Sequence, residues 1–184
     1  AALAQERIVQ FYETQGYFDT VVEHIKEELN ENSVTLSFMV NRGQEIAIES
    51  LKLCGASALD YGDIEPKIAN KEAEFLPWMW GFNDGKLRVG DLAYDAERIK
   101  DLYRQYGYLD IKVSEPFLKA YLDSYSANLT YKIEEGNQYT LNEVKVDIQE
   151  GLIDVDELKD EMVMEKGDTF DIDRLRRDIK RIET

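Results

Sequence analysis

One sentence occurs twice in this chain, and it governs how the rest can fold. Residues 95–110 read Asp-Ala-Glu-Arg-Ile-Lys-Asp-Leu-Tyr-Arg-Gln-Tyr-Gly-Tyr-Leu-Asp, and residues 5–19 read Gln-Glu-Arg-Ile-Val-Gln-Phe-Tyr-Glu-Thr-Gln-Gly-Tyr-Phe-Asp. They align at Glu6/Glu97, Arg7/Arg98, Ile8/Ile99, Tyr12/Tyr103, Gly16/Gly107, Tyr17/Tyr108 and Asp19/Asp110. Ile99, Leu102, Tyr103 and Tyr106 recur at three- and four-residue spacing, which predicts a helix with one apolar face. Asp95 is its expected N-cap, with Tyr94 stapled onto Ile99. Gly107 is its expected stop, because glycine takes left-handed backbone at a helix end without Cβ strain.

More of the chain repeats at a similar spacing. Residues 34–43 match 127–136, and Ile48, Leu51, Lys52 and Leu53 fall on Leu141, Val144, Lys145 and Val146. A third helix start lies at 167–175, where Phe170, Asp171 and Leu175 repeat the staple, the cap and the partner. A period of about 90 residues exceeds the ~50 of solenoid units and matches a small domain. The chain therefore reads as part of a tandem array. Residues 46–138 make one complete domain, 1–45 the C-terminal part of another, and 139–184 the N-terminal part of a third.

The complete unit should run strand, helix, long loop, helix, strand, strand. That β-α-α-β-β order is α+β, with two helices packed on one face of a three-stranded mixed sheet. Its first helix is expected near 63–70, with Pro66 in the first turn, where a missing N–H costs little. The loop at 71–92 holds Phe75, Trp78, Trp80 and Phe82, either covering the core or forming a partner-docking patch. Residues 109–122 should be extended, and Pro116 within them marks an edge strand, because proline cannot donate to a ladder. Leu129, Tyr131 and Ile133 alternate as a half-buried strand does. In the first unit, 3–15 reads as a helix, 17–29 as an extended segment with Val22 and Ile25 in the core, and 34–40 as a strand. That strand should be left with an open edge and an uncovered apolar face. In the third unit a strand is expected at 139–148, a capping box at 154–157 and a second helix after Asp171.

Composition narrows the function more than the fold. The formal charge of −16 repels nucleic acid and anionic lipid, which argues against both as partners. No apolar run reaches the ~20 residues that span a bilayer. Cys54 is the single cysteine, so no internal disulfide can form. His24 is the single histidine, on a strand expected to be exposed, so no Ser-His-Asp or Cys-His pair is in prospect. Gly81, Gly85 and Gly90 fit neither a P-loop nor a dinucleotide fingerprint. Asp154-Val-Asp156 lacks the glycine of a calcium loop and is better explained as a helix cap. The residues offer no catalytic, cofactor-binding or metal-binding set, so a non-enzymatic role without cofactor or metal is expected. A small-molecule or metal-dependent enzyme is the distant alternative, and it would need a concave polar pocket.

The order and residues together resemble the POTRA (polypeptide-transport-associated) domain. The motifs are a helix ending in Tyr-x-x-x-Gly-Tyr (Tyr12–Gly16–Tyr17 and Tyr103–Gly107–Tyr108), a strand ending in Glu-Gly or a variant (Arg42-Gly43 and Glu135-Gly136), and a strand running to a glycine (Ile48 to Gly55). The chain is similar throughout to the POTRA domains of the BamA family of outer-membrane β-barrel assembly factors. Its tryptophan loop resembles that of the third POTRA, making 1–45, 46–138 and 139–184 the end of the second, the third and the start of the fourth. Residues 147–151 depart from the pattern, with Gly151 late after its strand. The resemblance implies a periplasmic location in a Gram-negative bacterium, with a C-terminal outer-membrane barrel elsewhere in the protein. Its implied partners are unfolded outer-membrane proteins and accessory assembly lipoproteins. Clients would add by β-augmentation to the edge formed by Ile111, Lys112, Val113, Ser114, Glu115, Phe117, Leu118 and Lys119. Gly43, Gln44, Gly136 and Asn137 would be hinges between units. A TamA-like factor or a two-partner secretion transporter is the alternative within the same class.

Overall fold

The computed structural model describes residues 1–73, 85–143 and 162–182. In chain order the elements are α1 (Ala2–Thr14), β1 (Val21–Asn30), β2 (Ser33–Asn41), β3 (Ala47–Cys54), α2 (Tyr61–Ile64), α3 (Leu92–Gln105), β4 (Lys112–Val113), β5 (Phe117–Tyr121), β6 (Ser126–Glu134) and α4 (Ile172–Ile182). They fall into two compact units. One comprises Ala1–Cys54, Ile68–Ala96 and Ser114–Lys132; the other comprises Gly55–Lys67, Glu97–Val113 and Ile133–Thr184.

In the first unit, β6 is the middle strand. β3 runs parallel to it, from Ala47 opposite Ser126 to Cys54 opposite Lys132. β5 runs antiparallel on the other side, from Phe117 opposite Thr130 to Tyr121 opposite Ser126. This is the mixed sheet expected from the element order. Ala127, Leu129 and Tyr131 are buried at alternate positions of β6, and Ile48 and Leu51 are buried on β3. A period of two puts one set of side chains on one face.

The same unit holds the hairpin β1–β2, paired antiparallel from Val21 opposite Asn41 to Asn30 opposite Ser33. Val22 and Ile25, expected in the core, are half-buried and 46% exposed, while Val34, Leu36 and Val40 face solvent, the uncovered apolar face expected of β2, as does Met39. A strand buries an apolar face only when a second layer covers it, and among the described residues β2 pairs with β1 alone.

Asp95 is also differently employed. α3 begins three residues earlier, at Leu92, entered through a 3-10 turn at Val89–Asp91. Asp95 lies within its first turn and is fully buried. Its carboxylate accepts from the N–H of Ala69 at 2.7 Å, the N–H of Asn70 at 2.9 Å and the Asn70 side-chain amide at 2.8 Å. It ties down the chain at 69–70 instead of capping its own helix. Tyr94 is 65% exposed and makes no staple.

In the second unit Ile99, Leu102 and Tyr103 are buried on α3 as their spacing predicts, while Tyr106 is 46% exposed. Residues 109–122 form two short strands in place of one. β4 pairs with the end of β6, Lys112 opposite Glu134 and Val113 opposite Ile133, and Pro116 stands between β4 and β5. α2 starts earlier than expected and is shorter. Asp60 caps it, its carboxylate and that of Asp63 each taking the other's backbone N–H, and Pro66 falls in the 3-10 turn Glu65–Lys67 that follows. α4 begins after Asp171, whose carboxylate accepts from the N–H of Asp173 and Arg174. Residues 139–143 are not a strand and make one bridge, Thr140 to Thr169. The rest of that expected strand, the capping box at 154–157 and the tryptophan loop at 75–82 lie outside the described residues.

Candidate binding edge and the motif cluster

The sheet of the first unit has two flanks, and they are treated differently. Along β3, Ile48 N–H donates to the Gly85 carbonyl, Ala73 N–H donates to the Ile48 carbonyl, Leu87 N–H donates to the Ile46 carbonyl and Leu51 N–H donates to the Glu72 carboxylate. That edge is covered from Ile46 to Leu51. On the opposite flank β5 pairs only with β6 among the described residues. Among those residues its outer backbone groups face no other strand, the condition under which an extended chain can add.

The side chains along the open flank are mixed. Phe117 is 70% exposed, Lys119 is exposed and lies over the Tyr121 ring at 4.8 Å, and Leu118 is half-buried. Ser114 continues the ladder across the break before Pro116. Its N–H donates to the Lys132 carbonyl at 3.0 Å and its Oγ accepts from the Lys132 N–H at 3.2 Å. Glu115 is exposed. In the second unit Ile111 and Val113 are buried, so their side chains are taken up by the core. Lys112 between them is exposed. A cleft of about 500 Å³ beside Glu49, Ser50, Tyr121, Ser124, Ser126 and Asn128 opens in the first unit. It holds no histidine or cysteine and one carboxylate, a poor donor set for acid–base or metal chemistry.

The second unit gathers the sequence motifs into one hydrogen-bonded cluster. Glu135 accepts from the N–H groups of Ser57 and Ala58, from the Ser57 hydroxyl and from the Tyr103 hydroxyl. Burial works against its charge, but these donors outweigh burial and hold its carboxyl at about 2. Burial and then the Glu135 carboxylate push the Tyr103 hydroxyl well above the ordinary tyrosine range. Tyr103 packs edge-to-face on Tyr108, centroids 5.6 Å apart. In the first unit Tyr12 meets Tyr17 the same way, at 6.0 Å.

The glycines expected to act as hinges lie against aspartates. Gln44 N–H donates to the Asp19 carboxylate at 3.2 Å, and a Cβ on Gly43 would run into that carboxylate. A Cβ on Gly136 would stand 3.0 Å from the Asp110 Cβ. Close approach explains both glycines, and Asn137 beside Gly136 is exposed.

A mixed sheet with a short capped helix, a long helix ending in Gly-Tyr and a Glu-Gly strand end defines a class of small α+β repeat domain. Residues 46–136 match the POTRA family model, "Surface antigen variable number repeat", and belong to that family. The chain is 27% identical over 158 residues to the outer membrane protein assembly factor BamA of Nitratidesulfovibrio vulgaris, covering 84% of this chain and 19% of that protein. It is 25% identical over 137 residues to BamA of Buchnera aphidicola, covering 73% of this chain and 22% of that protein. The chain thus spans about a fifth of the length of these curated relatives. The crystal structure of Haemophilus influenzae BamA POTRA3-5 has the same fold, with a TM-score of 0.51 and 18% identity over 97% of this chain and 68% of that one.

Proposed function

We propose that this chain is a periplasmic scaffold module of an outer-membrane protein assembly factor, and that it takes up extended β-barrel segments along β5. The observation that carries this is the asymmetry of the sheet, covered along β3 from Ile46 to Leu51 and, among the described residues, open along β5. Backbone pairing is nearly blind to client sequence, which suits a factor that serves many barrels. Each added bond contributes about 0.5–1.5 kcal/mol, and ordering the client offsets most of the sum, so release stays easy. In this reading 1–45 and 139–184 belong to the POTRA domains on either side of 46–138. The work is holding, with no catalytic step. Among the described residues no helix is long and apolar enough to cross a membrane.

The test is an amide NMR titration with an extended peptide of alternating apolar residues. Amides of Phe117 to Tyr121 should shift first, with Phe117→Asp weakening the response. Shifts elsewhere with a silent β5 would sink the assignment.

A further inference from the structure

Each compact unit contains one copy of the same backbone ladder. In the first, Ile46 N–H donates to the Gly16 carbonyl at 3.0 Å, and Leu87 N–H donates to the Ile46 carbonyl at 2.9 Å. In the second, Tyr139 N–H donates to the Gly107 carbonyl at 2.9 Å, and Phe170 N–H donates to the Tyr139 carbonyl at 2.9 Å. Gly16 and Gly107 are the matched helix stops of the repeat, while Ile46 and Tyr139 each open the repeat that follows.

The match extends to side chains and to steric fit. Gly16 and Gly107 have φ of +89° and +85°, and a Cβ on either would strike the next repeat, at the Leu87 carbonyl oxygen or, at 2.9 Å, the Tyr139 carbonyl oxygen. The aspartate three residues on accepts a tyrosine hydroxyl in both copies, Asp19 from Tyr125 at 3.0 Å and Asp110 from Tyr139 at 2.6 Å. One difference stands out between the copies. Ile46 and Leu87 are fully buried, whereas Tyr139 is 40% exposed and Phe170 half-buried. A backbone bond shut away from water opens only when its apolar cover is lifted, while one at the surface exchanges partners with solvent.

We propose that the Gly-Tyr-x-Asp segment of each repeat is a socket for the first residue of the following repeat, and that the two sockets differ in grip. The Gly16 socket stays shut on Ile46, and the Gly107 socket is the one that yields. The inference rests on the division into repeats and is independent of client binding at β5.

Hydrogen exchange on the whole chain tests it. Amide protection, corrected for intrinsic rates, should be at least tenfold higher at Ile46 and Leu87 than at Tyr139 and Phe170. Tyr139→Phe removes only the hydroxyl bonded to Asp110. It should speed exchange several-fold at positions 139 and 170 and leave Ile46 and Leu87 unchanged. Equal protection at all four amides, or no response at 139 and 170, overturns the proposal. Gly107→Ala should open the second socket alone. Loss of protection throughout the chain in that variant overturns the division into repeats, and the proposal with it.

Discussion

The Tyr103 hydroxyl donates to the Glu135 carboxylate at 2.9 Å, across a sequence separation of 32 residues. The tyrosine of the helix motif is thus bonded to the glutamate of the strand motif. The loop after Gly55, through Ser57 and Ala58, closes on the same carboxylate. Three signatures recognisable separately in the sequence are parts of one knot. Tyr103→Phe, which keeps the ring and removes a bond to a charged acceptor, should lower stability by about 1.5–3 kcal/mol. Urea denaturation followed by circular dichroism would measure it.

The knot should also make stability depend on acid. The folded Glu135 carboxyl, at about 2, lies below the ordinary value of 4.5. A carboxyl lowered by folding stabilises fully above its unfolded value, and that contribution fades as pH falls from about 4.5 towards 2. Wild type should therefore exceed Glu135→Gln by about 1–3 kcal/mol at pH 7, and the gap should close by pH 2. A gap constant from pH 6 to pH 3 would contradict the assignment.

Asp95→Ala should be among the more damaging single substitutions. It strips three hydrogen bonds from a fully buried carboxylate and strands the N–H groups of Ala69 and Asn70. The expected loss is about 3–5 kcal/mol, read as a fall in thermal midpoint. Protection should disappear first at the amides of 69 and 70.

The hairpin β1–β2 should be less protected than the sheet built on β6. Its apolar residues Val34, Leu36, Met39 and Val40 face solvent, whereas Ala127, Leu129 and Tyr131 of β6 are buried. Amides of β1 and β2 should exchange faster than those of β3 and β6 by at least tenfold. Comparable rates would mean that the hairpin is covered in solution.

Phe117→Asp should separate binding from stability. Phe117 is 70% exposed, so the substitution should cost less than about 1 kcal/mol. Peptide binding at β5 should fall several-fold. Calorimetric titration alongside thermal melts distinguishes the two effects.

What the sequence discloses here depends on how far apart the interacting residues lie. The buried stripe of Ile99, Leu102 and Tyr103 and the alternation through Leu129, Tyr131 and Ile133 follow from local periodicity, so both were legible. The flank position of the strand after Val113 followed from Pro116 alone. The duty of Asp95 was not legible, because its partners lie some 25 residues upstream and a nearby capping role looks the same in sequence. Val22 and Ile25 carry a core-like pattern, but a pattern records only which residues could be covered. The joining of Gly16 to Ile46 and Gly107 to Tyr139 uses backbone atoms, which no side-chain motif reports. The glycines were visible, and their steric reason was not.

A sheet covered on one flank and open on the other offers one place for direct pairing. On the proposed reading, a client strand on β5 would find no second flank on the same sheet, so each repeat would pair directly with one client strand at a time. Capacity would then scale with the number of repeats in the row. A long client would be held at several separated points, each weak, with the spacing of the row setting the local concentration for the next capture. On that reading retention would come from the array, while each contact would remain easy to break.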